Sequence, residues 1–315
     1  MPLFEAALAE NEVILLDGGL ATELEAQGFG IDSRLWSAEL LQSNPQAIVD
    51  AHIAYLEAGA RCIISASYQA SRRGFMASGL RASAADDLIL SSVALAQSAR
   101  QAYVARHPGA GNGPIVAASI GPYAAMLHDG SEYRGNYDAG RSDLRQFHES
   151  RLAVLDASGA DVLACETIPD FAEASVLCEL LKRVRSPAWV SFCCRDGRHL
   201  SDGSKIVRAA ALFRDHPRVL AVGVNCTAPQ HIPSLIQEVR RGAPDQAIVV
   251  YPNSGEVYDA TDNSWSGTVD PVDCAVAAES WRDAGAQLIG GCCRMGPQHI
   301  TAMQRQLSRG ARKNL

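Results

Sequence analysis

Short apolar segments alternate with longer amphipathic segments along the chain, and this alternation predicts eight strand–helix units. Each predicted strand is four to six residues long. Most are apolar throughout, which is typical of strands buried on both faces of a parallel sheet. The predicted strands are Val13–Leu16, Arg61–Ala66, Ile115–Ile120, Asp161–Cys165, Ala188–Phe192, Val219–Val224, Ala247–Tyr251 and Gln287–Gly290.

The segments between these strands have helical spacing of their apolar residues. Asn44 and Pro45 illustrate a helix start, since asparagine caps a helix and proline suits its first position. The predicted helices are Pro45–Ala58, Ala84–Arg106, Asp143–Ser158, Phe171–Val184, Ser204–Asp215, Ile232–Arg241, Val272–Ala284 and Pro297–Leu307. Three Ala-Gly-Ala or Ser-Gly-Ala triplets, around Gly59, Gly159 and Gly285, each separate a helix from the next strand, which indicates a repeated unit.

The connections are unequal in length, and this decides between two fold classes. Long connections follow several strands, at 67–83, 121–142, 193–203 and 252–271, whereas helix-to-strand connections are short. This asymmetry predicts a single (β/α)8 TIM-type barrel over residues 1–315, with its active site at the carboxyl ends of the strands. A doubly wound open sheet is the alternative, but no glycine-rich dinucleotide turn follows the first strand.

Composition narrows the classes of partner. The net charge is −7 and no run of lysine or arginine occurs, so we expect neither a nucleic acid nor a membrane partner. No apolar stretch reaches the length of a membrane span, and the N-terminus has acidic residues in place of a basic signal region. We therefore expect a cytoplasmic protein whose nine cysteines are reduced.

Three of those cysteines lie at predicted strand ends. Cys226 follows the sixth strand, and Cys292 and Cys293 follow the eighth. These strands flank the seventh in a barrel, so the three thiols can meet. Three thiolates would hold zinc and leave a fourth position for an exchangeable ligand, which suits activation of a substrate thiol. Adjacent cysteines can also be small buried residues or a redox pair, and both alternatives stay open here.

Two carboxylates also follow apolar strands. Asp17 comes after the first strand and Glu166 after the fourth. An ammonium group in a partly dry cavity needs an opposite charge, so these residues are candidates to bind the amino group of an amino-acid substrate. The alternative for Asp17 is a turn or cap residue before Gly18 and Gly19.

Other strand-end residues are weaker candidates. Ser67 and Asn253 follow the second and seventh strands and are predicted to bind substrate, with backbone amides near Ser67 or at a helix N-terminus holding its carboxylate. The 121–142 loop is a candidate lid, and Trp36, Tyr68, Tyr123 and Tyr133 are candidates for an aromatic wall against a sulfonium or quaternary donor. We expect His52, His148 and His299 on surfaces or at helix caps, without a functional role.

Motifs spread over nearly the whole chain resemble the homocysteine S-methyltransferase family. The S-methylmethionine-dependent bacterial and plant enzymes are more similar than the betaine-dependent branch. The motifs are Leu15–Leu24, Leu35–Ala38, Ala66–Ala70, Gly121–Tyr123, Asp129–Gly135, Ala164–Thr167, Leu200–Gly203, Gly223–Cys226, Tyr251–Glu256 and Ile289–Cys293. One departure is Asn136, where relatives are expected to have aspartate.

The resemblance implies a (β/α)8 barrel with zinc on Cys226, Cys292 and Cys293. It also implies homocysteine bound through its sulfur to zinc, with its amino group near Asp17 and Glu166. The implied reaction is methyl transfer from S-methylmethionine, with S-adenosylmethionine as a second donor, and the product is methionine. Betaine or another donor, or a non-catalytic zinc- or thiol-binding barrel, are the alternatives.

Overall fold

A computed structural model of the chain describes residues 2–10, 12–30, 37–111, 113–127, 129–255, 257–259, 264–266 and 270–311. Its strands are β1 Ile14–Leu15, β2 Cys62–Ile64, β3 Ile115–Ile120, β4 Val162–Ile168, β5 Ala188–Phe192, β6 Val219–Asn225, β7 Ala247–Tyr251, β8 Val257–Asp259, β9 Ser264–Ser266 and β10 Leu288–Ile289. Its α-helices are α1 Leu3–Ala9, α2 Leu20–Ala26, α3 Ser37–Ser43, α4 Pro45–Glu57, α5 Arg72–Ala77, α6 Ala82–Arg106, α7 Tyr123–Leu127, α8 Ser131–Arg134, α9 Arg141–Leu155, α10 Phe171–Leu180, α11 Ile206–Ala211, α12 Ile232–Gly242, α13 Pro271–Asp283 and α14 Pro297–Ala311. Short 3-10 helices span Leu181–Arg183 and Pro229–His231.

Eight parallel strands form the barrel, and the fold prediction is confirmed. The strand order is β1-β10-β7-β6-β5-β4-β3-β2, with every named pair parallel. A parallel bridge between Leu16 and Cys62 closes the ring. Every predicted strand is present, although β1, β2 and β10 are shorter than predicted. That the barrel forms one domain over residues 1–315 stays a prediction.

The structure adds elements that the apolar pattern did not indicate. Helix α1 precedes the first strand, and its Phe4 is fully buried against Trp189, with ring centroids 6.0 Å apart. It therefore packs against the barrel interior at the end opposite the predicted active site. The antiparallel strands β8 and β9 lie inside the predicted 252–271 connection.

The barrel interior changes character along its axis. Successive side chains on a strand alternate between the interior and the helices. On β4, Val162 and Ala164 belong to the apolar interior cluster, and the next interior position is Glu166. On β6, the interior series that begins at Ala221 ends at Asn225. The interior is thus apolar at the amino ends of the strands and polar at the carboxyl ends, where a TIM-type barrel places its active site.

Two of the three histidines contradict the sequence expectation. His52 on α4 and His148 on α9 have no exposed surface, because those helices are covered on more than one side by their neighbours. His299 is also buried, but it does cap a helix, since its Nδ1 accepts a hydrogen bond from Gly296 N at 3.1 Å, at the start of α14.

His52 predicts a specific acid sensitivity. Among the described residues its two ring nitrogens have no hydrogen-bond partner, and burial lowers its pKa from 6.5 to about 4. Between those values only the unfolded chain takes up the proton, so the free energy of unfolding falls as the pH is lowered from 6.5 to 4. The shift corresponds to about 3 kcal/mol. Urea unfolding at pH 7 and pH 4.5 should show His52→Leu losing less stability than the wild type.

The matched control is His231→Leu, which removes a partly exposed imidazole near α12 and should keep the wild-type dependence on pH. An unaltered pH slope in His52→Leu would show that the acid sensitivity arises elsewhere in the chain.

Candidate active site

Three cysteine sulfurs meet at the carboxyl end of the barrel. Cys226 follows β6 directly, and Cys292 and Cys293 lie in the turn after β10. The Sγ atom of Cys226 lies 2.6 Å from that of Cys292 and 3.8 Å from that of Cys293. All three atoms lie within 4.8 Å of one another, and Cys226 is buried. Three sulfur atoms gathered at one point are soft donors that suit a metal ion, and the adjoining cavity leaves room for a further ligand.

The protons of these thiols are shared within the cluster. Hydrogen bonds from Cys226 and Cys292 hold the pKa of Cys293 well below its ordinary value. Hydrogen bonds with Cys292 and Cys293, together with burial, raise the pKa of Cys226 well above its ordinary value. One thiolate is therefore favoured over three when the cluster holds only protons. A divalent cation removes this restriction, because a coordinated thiol loses its proton.

The backbone is strained around the cluster. Four non-glycine residues of the described chain have positive φ, and three of them are Thr167 at +60°, Cys226 at +46° and Arg294 at +65°. Thr167 follows Glu166, Cys226 belongs to the cysteine cluster, and Arg294 follows Cys293. Left-handed backbone is rare for a β-branched residue such as threonine, and strain of this kind concentrates at functional sites.

Asn225 connects the strained segments. Its Oδ1 accepts from Thr167 N at 2.7 Å, and its Nδ2 donates to Thr167 Oγ1 at 2.7 Å. Ser191 Oγ donates to the same Oδ1 at 2.8 Å. The side chain before Cys226 is thereby fixed to the residue after Glu166. Sequence reasoning did not single out Asn225, although an asparagine at an interior position of an apolar strand was the available signal.

The two predicted carboxylates share a cavity with the cluster. The cavity has a volume of about 130 Å³, and its walls include Asp17, Glu166 and all three cysteines. Asp17 is 2% exposed and Glu166 7%. None of the described residues that line this cavity is basic. Its charge is therefore negative wherever these groups are ionised, and it is suited to a cation.

Asp17 has one occupied and one unoccupied oxygen. Its Oδ2 accepts from Ile64 N at 2.8 Å, while its buried Oδ1 has no hydrogen-bond partner among the described residues. Burial raises the pKa of Asp17 well above its ordinary value, and the nearby Glu166 adds to this shift. A positively charged ligand that enters the cavity would weaken both the effect of burial and the effect of Glu166 on this pKa. The cap or turn alternative for this residue finds no support in these contacts.

Glu166 is held by groups that sequence reasoning missed. Its Oε1 accepts from the Ser119 hydroxyl, and the Tyr251 hydroxyl also bonds to its carboxylate. Burial raises the pKa of Glu166 to about 7 against these hydrogen bonds. Ser119 is the last residue of β3 on the interior face, Tyr251 is the last residue of β7, and both line the cavity. Their polarity in otherwise apolar strands was the signal that could have identified them.

The remaining predicted residues lie at varying distances from the cavity. Tyr68 and Tyr133 line it, and the Tyr133 hydroxyl lies 3.8 Å from Cys293 Sγ. Ser67 does not line the cavity, and its Oγ donates to Ser119 O at 2.8 Å. Ser65 lines the cavity instead. Asn253 is bonded through its backbone to Thr227 O at 3.1 Å. Substrate binding by Ser67 and Asn253 stays a prediction, and Trp36 lies outside the described residues.

A buried arginine supports the two loops that carry these side chains. Arg151 on α9 is 1% exposed. It donates to Ser67 O at 2.7 Å, Tyr68 O at 2.8 Å and Gly121 O at 2.9 Å. Burial lowers its pKa to about 10, so the guanidinium remains charged at neutral pH. The periodic pattern of α9 gave no indication of this contact, because its partners are distant in sequence.

Asn136, where the resemblance led us to expect an aspartate, has a role that its amide explains. Asn136 has φ +55°, and asparagine tolerates this left-handed conformation better than most residues. Its Nδ2 donates to Asp202 O at 3.2 Å. An aspartate there would lack that donor, so the amide adds a contact between the 121–142 loop and the loop after β5.

Within the described part of the chain, no helix is both long enough and apolar enough to cross a membrane. All nine cysteines are free of disulfide bonds. The free cysteines agree with a cavity whose chemistry depends on thiols.

The family model for homocysteine S-methyltransferase matches residues 14–307. The chain is 46% identical over 291 residues to homocysteine S-methyltransferase YbgG of Bacillus subtilis, covering 91% of this chain and 92% of that protein. It is 46% identical over 303 residues to the Escherichia coli homocysteine S-methyltransferase, covering 95% and 96% of the two chains. The metallated form of the Escherichia coli homocysteine methyltransferase MmuM superposes with a TM-score of 0.86 at 43% identity, covering 96% and 99%.

Proposed function

Since this chain belongs to the homocysteine S-methyltransferase family, we propose that it transfers a methyl group from S-methylmethionine to homocysteine with the help of zinc. The coverage and identity of its relatives make it a homocysteine S-methyltransferase. We propose the identity of the donor, the identity of the metal and the role of each residue. We place the reaction in the cytoplasm, with small molecules as substrates and the cysteines reduced.

One observation carries this proposal. The three cysteine sulfurs lie within 4.8 Å of one another, in the same cavity as two buried carboxylates. Homocysteine has a thiol and an ammonium group separated by a short chain, so one molecule can satisfy both features. A redox pair would need only two of the cysteines, and small buried residues would not need the carboxylates.

Cys226, Cys292 and Cys293 would hold the zinc ion. Zinc favours four ligands, and three protein thiolates leave one position for the substrate sulfur. When bound, zinc would keep the homocysteine thiol ionised at neutral pH, where a free alkyl thiol is only about 3% thiolate. Three thiolates on a dication give a net charge of about −1, which keeps the fourth sulfur nucleophilic.

The other residues of the cavity bind and orient homocysteine. Asp17 and Glu166 bind the ammonium group of homocysteine, which fixes the direction of its side chain towards the cysteines. The homocysteine sulfur then forms a bond to the methyl carbon as the carbon–sulfur bond of the donor breaks. The donor leaves as a neutral thioether, so no general acid is needed. Catalysis rests on positioning and on the charge of the nucleophile.

A sulfonium donor suits the remaining walls. Tyr68, Tyr133 and Tyr251 line the cavity, and a cation is attracted to an aromatic face. S-methylmethionine is the donor we propose, and two molecules of methionine are then formed in each turnover. S-adenosylmethionine is a second sulfonium donor of the same chemistry, whereas betaine offers a quaternary ammonium and would need a pocket of different shape.

The test is methionine formation from homocysteine with S-methylmethionine, S-adenosylmethionine and betaine in parallel, on zinc-loaded and chelator-stripped protein. We expect turnover with S-methylmethionine that depends on zinc and returns when zinc is added back. Turnover with betaine alone would show that betaine, and not S-methylmethionine, is the donor, and would leave the proposed site unchanged. Bound zinc with no turnover from any donor would favour a zinc- or thiol-binding role.

A further inference from the structure

The residues 129–137, which we call the cover segment, join the cavity to a buried carboxylate outside it. Near its middle, the Tyr133 hydroxyl lies 3.8 Å from Cys293 Sγ. At its end, the Tyr137 hydroxyl donates to Glu173 Oε2. Glu173 does not line the cavity, and nothing in the proposed reaction uses it. A buried acid in this position calls for another explanation.

Glu173 is surrounded by polar groups from three other parts of the fold. It has no exposed surface. Its Oε1 accepts from Tyr123 N at 2.6 Å and lies 2.6 Å from His148 Nε2. Tyr137 occupies the other oxygen. The carboxyl group thus joins the start of helix α7, helix α9 and the cover segment at one point.

The carboxyl group itself is fixed to the barrel. Glu173 lies in the first turn of α10, where Asp170 caps the helix by accepting from Ala172 N at 2.8 Å and Glu173 N at 3.0 Å. Helix α10 follows β4, the strand that carries Glu166. A cover segment that is bound to Glu173 is therefore also held near β4, the strand that bears the substrate-binding carboxylate.

The aromatic rings around Glu173 strengthen the same connection. Tyr123 and Tyr137 stack with their centroids 5.9 Å apart. Phe147 on α9 packs edge-on against Tyr123 at 5.2 Å. A second contact at this end joins Asn136 Nδ2 to Asp202 O. Because several of these partners belong to the barrel, the segment has a defined docked position.

We infer that Glu173 is a positioning residue for methyl transfer, which holds the cover segment in place through Tyr137 and so keeps Tyr133 at the cysteine cluster. Loss of this contact lowers the fraction of molecules with the segment docked. Substrate binding must then supply the docking free energy, which raises KM in inverse proportion to the fraction of molecules that remains docked. The rate constant at saturation changes little, because bound substrate restores the docked state.

The experiment compares variants of the zinc-loaded enzyme with whichever donor the wild type accepts, so it rests on the family activity and not on the choice of donor. Glu173→Met removes both acceptor oxygens at similar volume, and Tyr137→Phe removes only the donor. We expect KM for homocysteine to rise about tenfold and about fivefold, from the loss of buried hydrogen bonds, with kcat within about twofold. Glu173→Gln should stay close to wild type, since its carbonyl can accept from Tyr123 N while its amide donates to the Tyr137 oxygen.

The double variant distinguishes a shared role from two separate ones. If Tyr137 acts through Glu173, then Glu173→Met/Tyr137→Phe should have the KM of Glu173→Met alone. Independent roles would multiply the two effects. Tyr137→Phe also keeps the test valid if Glu173→Met fails to fold, because it leaves the buried acid in place.

A second readout needs no turnover. Arg134 is exposed within the cover segment, and Arg185 is 80% exposed elsewhere. Tryptic cleavage after Arg134, relative to cleavage after Arg185, should increase in Glu173→Met and Tyr137→Phe. Val239→Ala, a buried truncation on α12, controls for lost stability and should change neither KM nor this ratio. Unchanged cleavage after Arg134, or a fall in kcat at constant KM, would overturn the inference.

Discussion

Cys226→Ala is expected to abolish both stoichiometric metal binding and methionine formation. Two sulfurs in the turn after β10 would remain, which is fewer ligands than zinc takes in its catalytic sites. Without the metal, the homocysteine thiol is only about 3% ionised at neutral pH, and its orientation is also lost. Together these effects predict a decrease in kcat/KM of at least about 1,000-fold. Metal content by mass spectrometry and methionine by chromatography give the two readouts.

Cys274→Ala is the matched control for this prediction. Cys274 lies on α13 and is 6% exposed, so the substitution removes a buried thiol of similar accessibility away from the cavity. The variant should keep its metal and its turnover, apart from a modest loss of stability. If Cys226→Ala retained both full metal content and full activity, the cysteine cluster would not be the metal site.

Much of the barrel was predictable because one physical cause produces most of the pattern. Strands in a parallel barrel are buried on both faces, so they are apolar throughout and stand out between amphipathic helices. The positions of β3, β5 and β7 follow this rule and have the predicted bounds. Strand β10 ends directly before Gly290, whereas β1 ends at Leu15, three residues before Gly18.

The site was predictable only to the extent that strand ends define it. Asp17, Glu166 and the three cysteines follow apolar strands, and barrel closure brings their side chains to one cavity. The side chains that orient them were not predictable from periodicity. Asn225 bonds to Thr167, 58 residues away. Such contacts depend on which strands become neighbours and on the depth at which each interior side chain lies.

The glycines of the last turn illustrate a different limit. Added side-chain carbons at Gly290 and Gly291 would lie 2.6 Å from Leu16 Cβ and Met295 Cβ. The space that these glycines leave is filled by the protein itself. The sequence motif alone cannot distinguish room for a substrate from room for a neighbouring side chain, since glycine allows both close approaches.

Asp17→Asn and Glu166→Gln are each expected to raise KM for homocysteine by roughly 10- to 100-fold, the size of a hydrogen bond to a charged group. In Asp17→Asn, the carbonyl oxygen keeps the hydrogen bond from Ile64 N, which leaves the amide nitrogen at the position of Oδ1. Its hydrogens would then face the substrate ammonium. In Glu166→Gln, the carbonyl can still accept from Ser119. Initial rates over a range of homocysteine concentrations measure both effects.

The amino-free analogue 4-mercaptobutanoate shows whether the carboxylates act on the ammonium group. Wild type should prefer homocysteine strongly, whereas either variant should lose most of that preference, because the analogue never made the missing contact. The matched control is Asp161→Asn. Asp161 accepts from Val116 N at 2.8 Å, as Asp17 does from Ile64 N, but it precedes β4 at the opposite end of the barrel. If a variant lost equal activity with homocysteine and with the analogue, Asp17 and Glu166 would have a structural role in the cavity. The ammonium group would then be bound by other residues.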